Sequence, residues 1–182
     1  MVHLKNSGYL PPDAKSLLAR ADQLTSGMDV IVRDMRVSTK NLEFDVTVKN
    51  EELDTVIKKL EPIGPLDDVR HVIEEKIEKE DALKKARKYF NDERYWECHE
   101  VLEGVWKKSY EKEKDLIQGI ILVAAALVHY QKNEDEICLS IMKRAMEKLS
   151  GVSGVYHDIQ MDQFQQITNN IISSKKIAPF MI

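Results

Sequence analysis

Cysteine is nearly missing from this 182-residue chain. Cys98 and Cys138 are the two present, both inside helical patterns and in no C-x-x-C spacing. That argues against a disulfide framework and suits a reducing compartment. A surplus of positive charge is missing as well: 27 Lys and Arg face 31 Asp and Glu, a net charge of −4. Nucleic acids and anionic membranes both select basic surfaces, so neither is an expected partner. The deficit is uneven, because residues 1–75 hold 10 basic and 14 acidic side chains while residues 76–182 hold 17 of each. Long apolar runs are absent too. The best candidate, LIQGIILVAAALVHY over 116–130, contains Gln118 and Gly119 and falls short of the ~20 residues a bilayer requires. It reads as a buried core helix. The opening MVHLKNSGYLPPDAK lacks the basic-then-apolar order of a secretory signal. A soluble cytoplasmic protein is expected.

The first half of the chain mixes strand and helix signals. VHLKN (2–6) reads as a short strand. Pro11-Pro12-Asp13 opens a helix with Ala14, Leu17, Leu18, Ala21 and Leu24 on one face, and Gly27 is placed to end it. DVIVRDMRV (29–37) and LEFDVTVK (42–49) flank a polar Ser-Thr-Lys-Asn loop, the pattern of a hairpin. Asn50 is placed to cap a helix through Leu53, Val56, Ile57 and Leu60 that stops at Glu61-Pro62, and DDVRHVI (67–73) reads as a last strand. The order βαββαβ is that of a ferredoxin-like domain. Such a fold assigns no function by itself. In the strand 42–49, Leu42, Phe44, Val46 and Val48 share one face, leaving Glu43, Asp45 and Thr47 on the other. An RNA-recognition sheet would carry stacking aromatics there, and carboxylates repel phosphate.

The four-residue loop also sets a register that places Asp34 opposite Asp45 and Arg36 opposite Glu43. Facing carboxylates either destabilise a sheet or serve a cation. A one-residue shift of the strand boundary would remove the pairing altogether.

EEKIEKED (74–81) is a charged bridge, and beyond it every signal is helical. Ala82, Leu83, Ala86, Tyr89 and Phe90 form one stripe; further helices are expected over about 93–109, 115–131 and 134–149. Gly151 and Gly154 precede a last one through Phe164, Ile167, Ile171 and Ile172. A shift of 40 residues lays one helical hairpin on the next: Ala86 on Ala126, Phe90 on Tyr130, Cys98 on Cys138, Val101 on Ile141, Leu102 on Met142 and Val105 on Ala145. The spacing resembles that of tetratricopeptide-type repeats, which suits a small helical array that binds partners. The expected class is therefore α+β: a ferredoxin-like βαββαβ domain over 1–75 and an all-α bundle of helical hairpins over 76–182.

Where the echo fails, chemistry collects. His99 falls where the second hairpin has Leu139, and Glu103 where it has Lys143. At about 100° per residue, Cys98, Val101, Leu102 and Val105 face the core, while Trp96, His99, Glu103 and Trp106 form a second, mixed face. His99 and Glu103, one turn apart, project together and would share a divalent transition metal. The string H-E-x-x-E invites comparison with H-E-x-x-H, in which the residue after the first histidine is the general base; that would make Glu100 the base of a metal-assisted hydrolase. The second ligand differs, and Glu100 points about 100° away from His99 on the wheel. The competing expectation is a buried polar network in which His99 donates to Glu103 and Gln118 completes the bonding. In an antiparallel pairing of neighbouring helices Gln118 comes opposite Glu103, while His129 lies about two turns away near Tyr95 and Asp92. Cys98 sits on the apolar arc and reads as a core residue. His3, His71 and His157 have no companions at ligand spacing and read as solvated or structural.

The residues Phe90-Asn91, Tyr95-Trp96, His99-Glu100, Glu103 and Trp106, followed by Gln118-Gly119 and an alanine-rich helix with His129, resemble a helical domain-of-unknown-function family, that numbered three hundred and nine. The resemblance covers about residues 80–174. It implies a compact all-α domain whose motif residues, Asn91, Trp96, His99, Glu103, Trp106, Gln118 and His129, gather around a shared polar pocket, and it implies no activity. Where the family pattern has glycine after the asparagine turn, this chain has Asp92-Glu93-Arg94. The function expected on these grounds is non-enzymatic binding of a small molecule or protein partner without a cofactor, with the metal-assisted hydrolase as the alternative. A sheet edge and the apolar segment Ile177–Ile182 make a homo-oligomer an expectation too.

Overall fold

The computed structural model of the chain describes residues 1–72 and 77–182. It divides into two compact units, Met1–Glu74 with Gln131–Asn133, and Glu75–Tyr130 with Glu134–Ile182.

The first unit runs β1 (Val2–Lys5), α1 (Ala14–Leu24), β2 (Val30–Val37), β3 (Asn41–Val48), α2 (Leu53–Leu60) and β4 (Leu66–Val69). Its sheet has the order β2-β3-β1-β4, and every neighbouring pair is antiparallel. This is the ferredoxin-like arrangement, in which each helix crosses between strands separated by one other. The start of α1 is fixed by Pro11-Pro12 and by the Asp13 carboxylate, which accepts the Leu10 N–H at 2.8 Å. Asn50 opens a short 3-10 turn ahead of α2 and makes no side-chain cap. Leu42 and Phe44 of β3 are fully buried with Leu4, Leu17, Ala21, Val56 and Leu60, and Val46 and Val48 pack against this core. Gly64 returns the chain so close to β1 that a Cβ there would lie 2.7 Å from the Lys5 carbonyl oxygen, so no larger residue fits.

The expected register of the hairpin is present: Asp34 faces Asp45 and Arg36 faces Glu43, with a bulge between Val32 and Asp34. Cations do lie beside the facing carboxylates: two arginines, and Lys132, whose Nζ is 3.2 Å from Asp34. Arg36 Nη1 is 3.1 Å from Asp34 and its Nε donates to Glu43 at 2.9 Å, while Arg33, at the bulge, approaches Asp45 at 3.7 Å. Glu43 is buried and paired with Arg36 rather than displayed on an open sheet face. The expected last strand is shorter than read, ending at Val69, and the bridge 74–81 begins outside the described residues.

The second unit is helical: α3 (Lys79–Asn91), α4 (Tyr95–Trp106), α5 (Glu111–Gln131), α6 (Asp135–Lys148) and α7 (Met161–Ser174), with a two-residue hairpin β5 (Val155–Tyr156) and β6 (Ile159–Gln160) before α7. One core takes Ala86, Phe90, Tyr95, Cys98, Leu102, Ile117, Ala124, Leu127, Cys138, Met142, Leu149 and Phe164. Gly119 lets α5 pack directly on Leu149, since a Cβ there would meet that side chain at 2.5 Å. The segment Ile177–Ile182 folds back on this core: Ile177, Phe180 and Ile182 pack against it. No helix among the described residues is long and apolar enough to cross a membrane.

Candidate functional site

α4 carries two faces with different fates. Tyr95, Cys98, Leu102 and Val105 are buried, whereas Trp96, His99, Glu103 and Trp106 are only half-buried. The helix begins on Arg94, whose guanidinium donates through Nε and Nη2 to the two oxygens of Glu97 and stacks over the Tyr89 ring at 5.1 Å. A forked pair of this kind fixes both side chains. It was not read from the sequence, although an arginine three residues before a glutamate at a helix start is its signal.

His99 is not the buried donor of a dry network: its side chain is 30% exposed and that of Glu103 is 33% exposed. The ring stands between two carboxylates. Nδ1 lies 3.2 Å from Glu100 Oε1, and Nε2 lies 3.9 Å from Glu103 Oε1. Glu100 therefore bends back along the helix to a nitrogen that the wheel places about 100° away from it. Because the two carboxylates address opposite ring nitrogens, one ion cannot be held by His99 and by both of them. The arrangement is that of an imidazole hydrogen-bonded on one side with a second carboxylate near its other nitrogen.

One turn further on, the Trp106 ring is covered by Lys114 Nζ at 4.5 Å, a cation–π contact, and its Nε1–H is buried with no acceptor among the described residues. A buried donor left unpaired costs about 1–3 kcal/mol unless water or a ligand supplies an acceptor. Gln118, half-buried on α5, makes no hydrogen bond among the described residues, so the network expected between it and Glu103 is not formed. His129 is engaged elsewhere: its Nδ1 lies 2.5 Å from Glu134 Oε2 at the start of α6. Asn91 is also drawn away, to the main chain of Ile182. The motif residues thus separate into three places rather than one pocket.

The two thiols are poor nucleophiles. Burial pushes Cys98 far above the ordinary thiol range and raises Cys138 to about 12. Burial likewise raises the Tyr95 phenol, whose hydroxyl has no partner among the described residues. His3 is buried in β1, in register with Glu43.

The second unit is thus a pair of helical hairpins followed by a further helix, with an aromatic and acidic face on α4. Residues 83–141 match the family model described as Domain of unknown function (DUF309), the family that the α4 motif resembles. The match is narrower than the expected 80–174. A solved structure, that of a conserved hypothetical protein from Thermus thermophilus, is similar at 28% identity and a TM-score of 0.44, over 50% of this chain and 94% of that one. No curated protein matches the sequence.

Proposed function

We propose that the protein is a non-enzymatic binding module that takes a small ligand or a short protein segment along the α4 face of Trp96, His99, Glu103 and Trp106. Residues 1–75 and 76–182 act as two domains in this reading, the first serving assembly or sensing in the cytoplasm. The observation that carries it is the half-exposed imidazole between two carboxylates, beside an indole N–H that lacks an acceptor. Such a face is chemically unsatisfied and suits a ligand that offers an acceptor to Trp106 and a donor to Glu103. The metal-assisted hydrolase draws less support. His99 Nε2 and Glu103 Oε1, 3.9 Å apart, offer an ion two ligand atoms and no third among the described residues, and Glu100, the would-be base, stands at the opposite ring nitrogen.

Both tryptophans of the chain lie on this face, so their two indole N–H signals in a 15N–1H spectrum report on it alone. The protein is titrated with a fragment library of carboxylates, amines and heteroaromatics, and separately with zinc. Fragments are expected to move the Trp106 signal in the wild type. They are expected to lose that effect in His99→Leu/Glu103→Lys, which installs the residues of the second hairpin and changes stability by less than about 1 kcal/mol. Stoichiometric zinc lost on His99→Ala, or no fragment reaching either indole, sinks the reading.

A further inference from the structure

Trp106 ends α4 with a donor that the chain leaves unanswered. Its Nε1–H is buried and meets no acceptor among the described residues, and an indole nitrogen can only donate. Lys114, in the first turn of α5, lies with its Nζ 4.5 Å over the same ring. Glu103, three residues before Trp106, reaches His99 at 3.9 Å and no lysine or arginine among the described residues. Lys114 likewise meets no carboxylate among them. A cation and an anion thus flank one orphan donor without neutralising each other.

The α4–α5 connection keeps Lys114 on the ring. Ser109 is buried; its hydroxyl donates to the Val105 carbonyl at 2.9 Å and its N–H to that of Trp106 at 3.1 Å. Glu111 then adopts φ 50°, a left-handed conformation unfavourable for an ordinary L residue. The helix α5 starts there, and its first turn carries Lys114 back to the indole. None of this is needed to build a helical hairpin. Forty residues on, Lys143, Met146 and Gly154 stand in the places of Glu103, Trp106 and Lys114.

An orphan N–H asks for an acceptor, an ammonium for negative charge and a carboxylate for a cationic donor. One small zwitterion answers all three. A single ammonium is matched by the single charge of a carboxylate rather than by the roughly −1.5 to −2 of a phosphate. Residues three apart on a helix hold their Cβ atoms about 5–6 Å from each other, a span that the two charged ends of an amino acid bridge. We infer that the α4 face takes amino-acid-like zwitterions: the carboxylate accepts from Trp106 Nε1–H and pairs with Lys114, and the ammonium pairs with Glu103. The assignment rests on the binding reading of this face and deepens it to a class of ligand.

Wild-type protein is titrated with phenylalanine, with phenylalaninamide, which lacks the negative end, and with phenylpropionate, which lacks the positive end. The phenyl group is common to all three, and the indole N–H signals in 15N–1H spectra report binding; Trp106→Phe assigns them by deleting one. Phenylalanine is expected to move the Trp106 signal and to bind at least about fivefold more tightly than either truncated ligand, since charge-assisted hydrogen bonds are the stronger ones. Lys114→Gln abolishes its advantage over the amide, and Glu103→Gln its advantage over the propionate. Equal binding of phenylalanine and either truncated ligand to the wild type, a comparison that requires no variant to fold, overturns the assignment. So does an advantage that persists undiminished in the folded variants. If other carboxylates, amines or heteroaromatics move the Trp106 signal and phenylalanine does not, the zwitterion falls and the binding face stands. If no ligand of any class moves either indole, both fall.

Discussion

The hairpins α3–α4 and α5–α6 turn through the same backbone and then present different surfaces. In the first, Glu93 takes φ 60° and the Arg94 N–H reaches the Tyr89 carbonyl at 2.9 Å; in the second, Asn133 takes φ 62° and the Glu134 N–H reaches the His129 carbonyl at 2.9 Å. The residues that lock the hairpins into one core correspond as well, with Ala86 and Ala126, Cys98 and Cys138, Leu102 and Met142, and Val105 and Ala145 all buried. Outside, the correspondence stops. Trp96, His99, Glu103 and Trp106 on α4 stand where α6 has Glu136, Leu139, Lys143 and Met146. Since one architecture holds with either set, packing does not demand the first set. That is why the α4 face is where function is to be sought.

The comparison breaks most visibly at the position before each turn. Phe90 is fully buried and makes edge contacts with Tyr95, Phe164 and Phe180, whereas its counterpart Tyr130 is half-buried. Phe90→Ala is therefore expected to cost about 3–5 kcal/mol, and Tyr130→Ala distinctly less. Urea unfolding followed by tryptophan fluorescence isolates the helical unit, because both tryptophans lie in it. Equal costs would mean that the two hairpins share their load evenly, contrary to the contacts.

A smaller effect is expected inside the turns. The left-handed conformation is roughly 1–2 kcal/mol unfavourable for an ordinary L residue and is better tolerated by asparagine. Glu93→Gly should then stabilise the helical unit by about 0.5–1 kcal/mol, and Asn133→Gly by a few tenths at most. A gain at Asn133 as large as that at Glu93 would show that side-chain identity does not set the cost of this turn.

The fold was legible where the signal is local and periodic. The alternation of Leu42, Phe44, Val46 and Val48 placed a strand and its buried face, and the loop of four residues set the pairing of Asp34 with Asp45. The forty-residue echo located both helical turns. Long-range polar links were not legible. Asn91 meets Ile182 across 91 positions, and nothing in the local pattern of either residue announces the other. The β5–β6 hairpin also escaped notice, because its turn uses His157-Asp158 at φ 43° and 64° in place of the usual glycine or asparagine. For the α4 face, the wheel put Trp96, His99, Glu103 and Trp106 on one mixed face, and all four are half-buried, yet it placed Glu100 out of reach of His99. A helical wheel fixes Cβ directions, whereas long side chains with free rotamers decide the contacts.

The weakest expected effect concerns how the two hairpins are tied together at their first helices. Glu113, in the first turn of α5, accepts a hydrogen bond from Lys79 at the start of α3 at 2.6 Å and another from Tyr156 of β5 at 3.0 Å. The Lys79 bond, and to a lesser degree the Tyr156 hydroxyl, hold its carboxyl below the ordinary carboxylate range. A lowered folded-state value means the carboxylate binds its proton less readily when folded than when unfolded. The stabilisation is therefore complete above the unfolded value of about 4.3 and is lost as pH falls through the folded one. About a third of each side chain or more remains exposed, so solvent screening limits the contribution to about 0.2–1 kcal/mol. Glu113→Gln is expected to lower the urea midpoint slightly at pH 7 and not at all at pH 2–3. A difference between wild type and variant that persisted undiminished at the acid end would assign the tie to packing rather than charge. The hairpins would then be joined, as they are built, by their apolar faces alone.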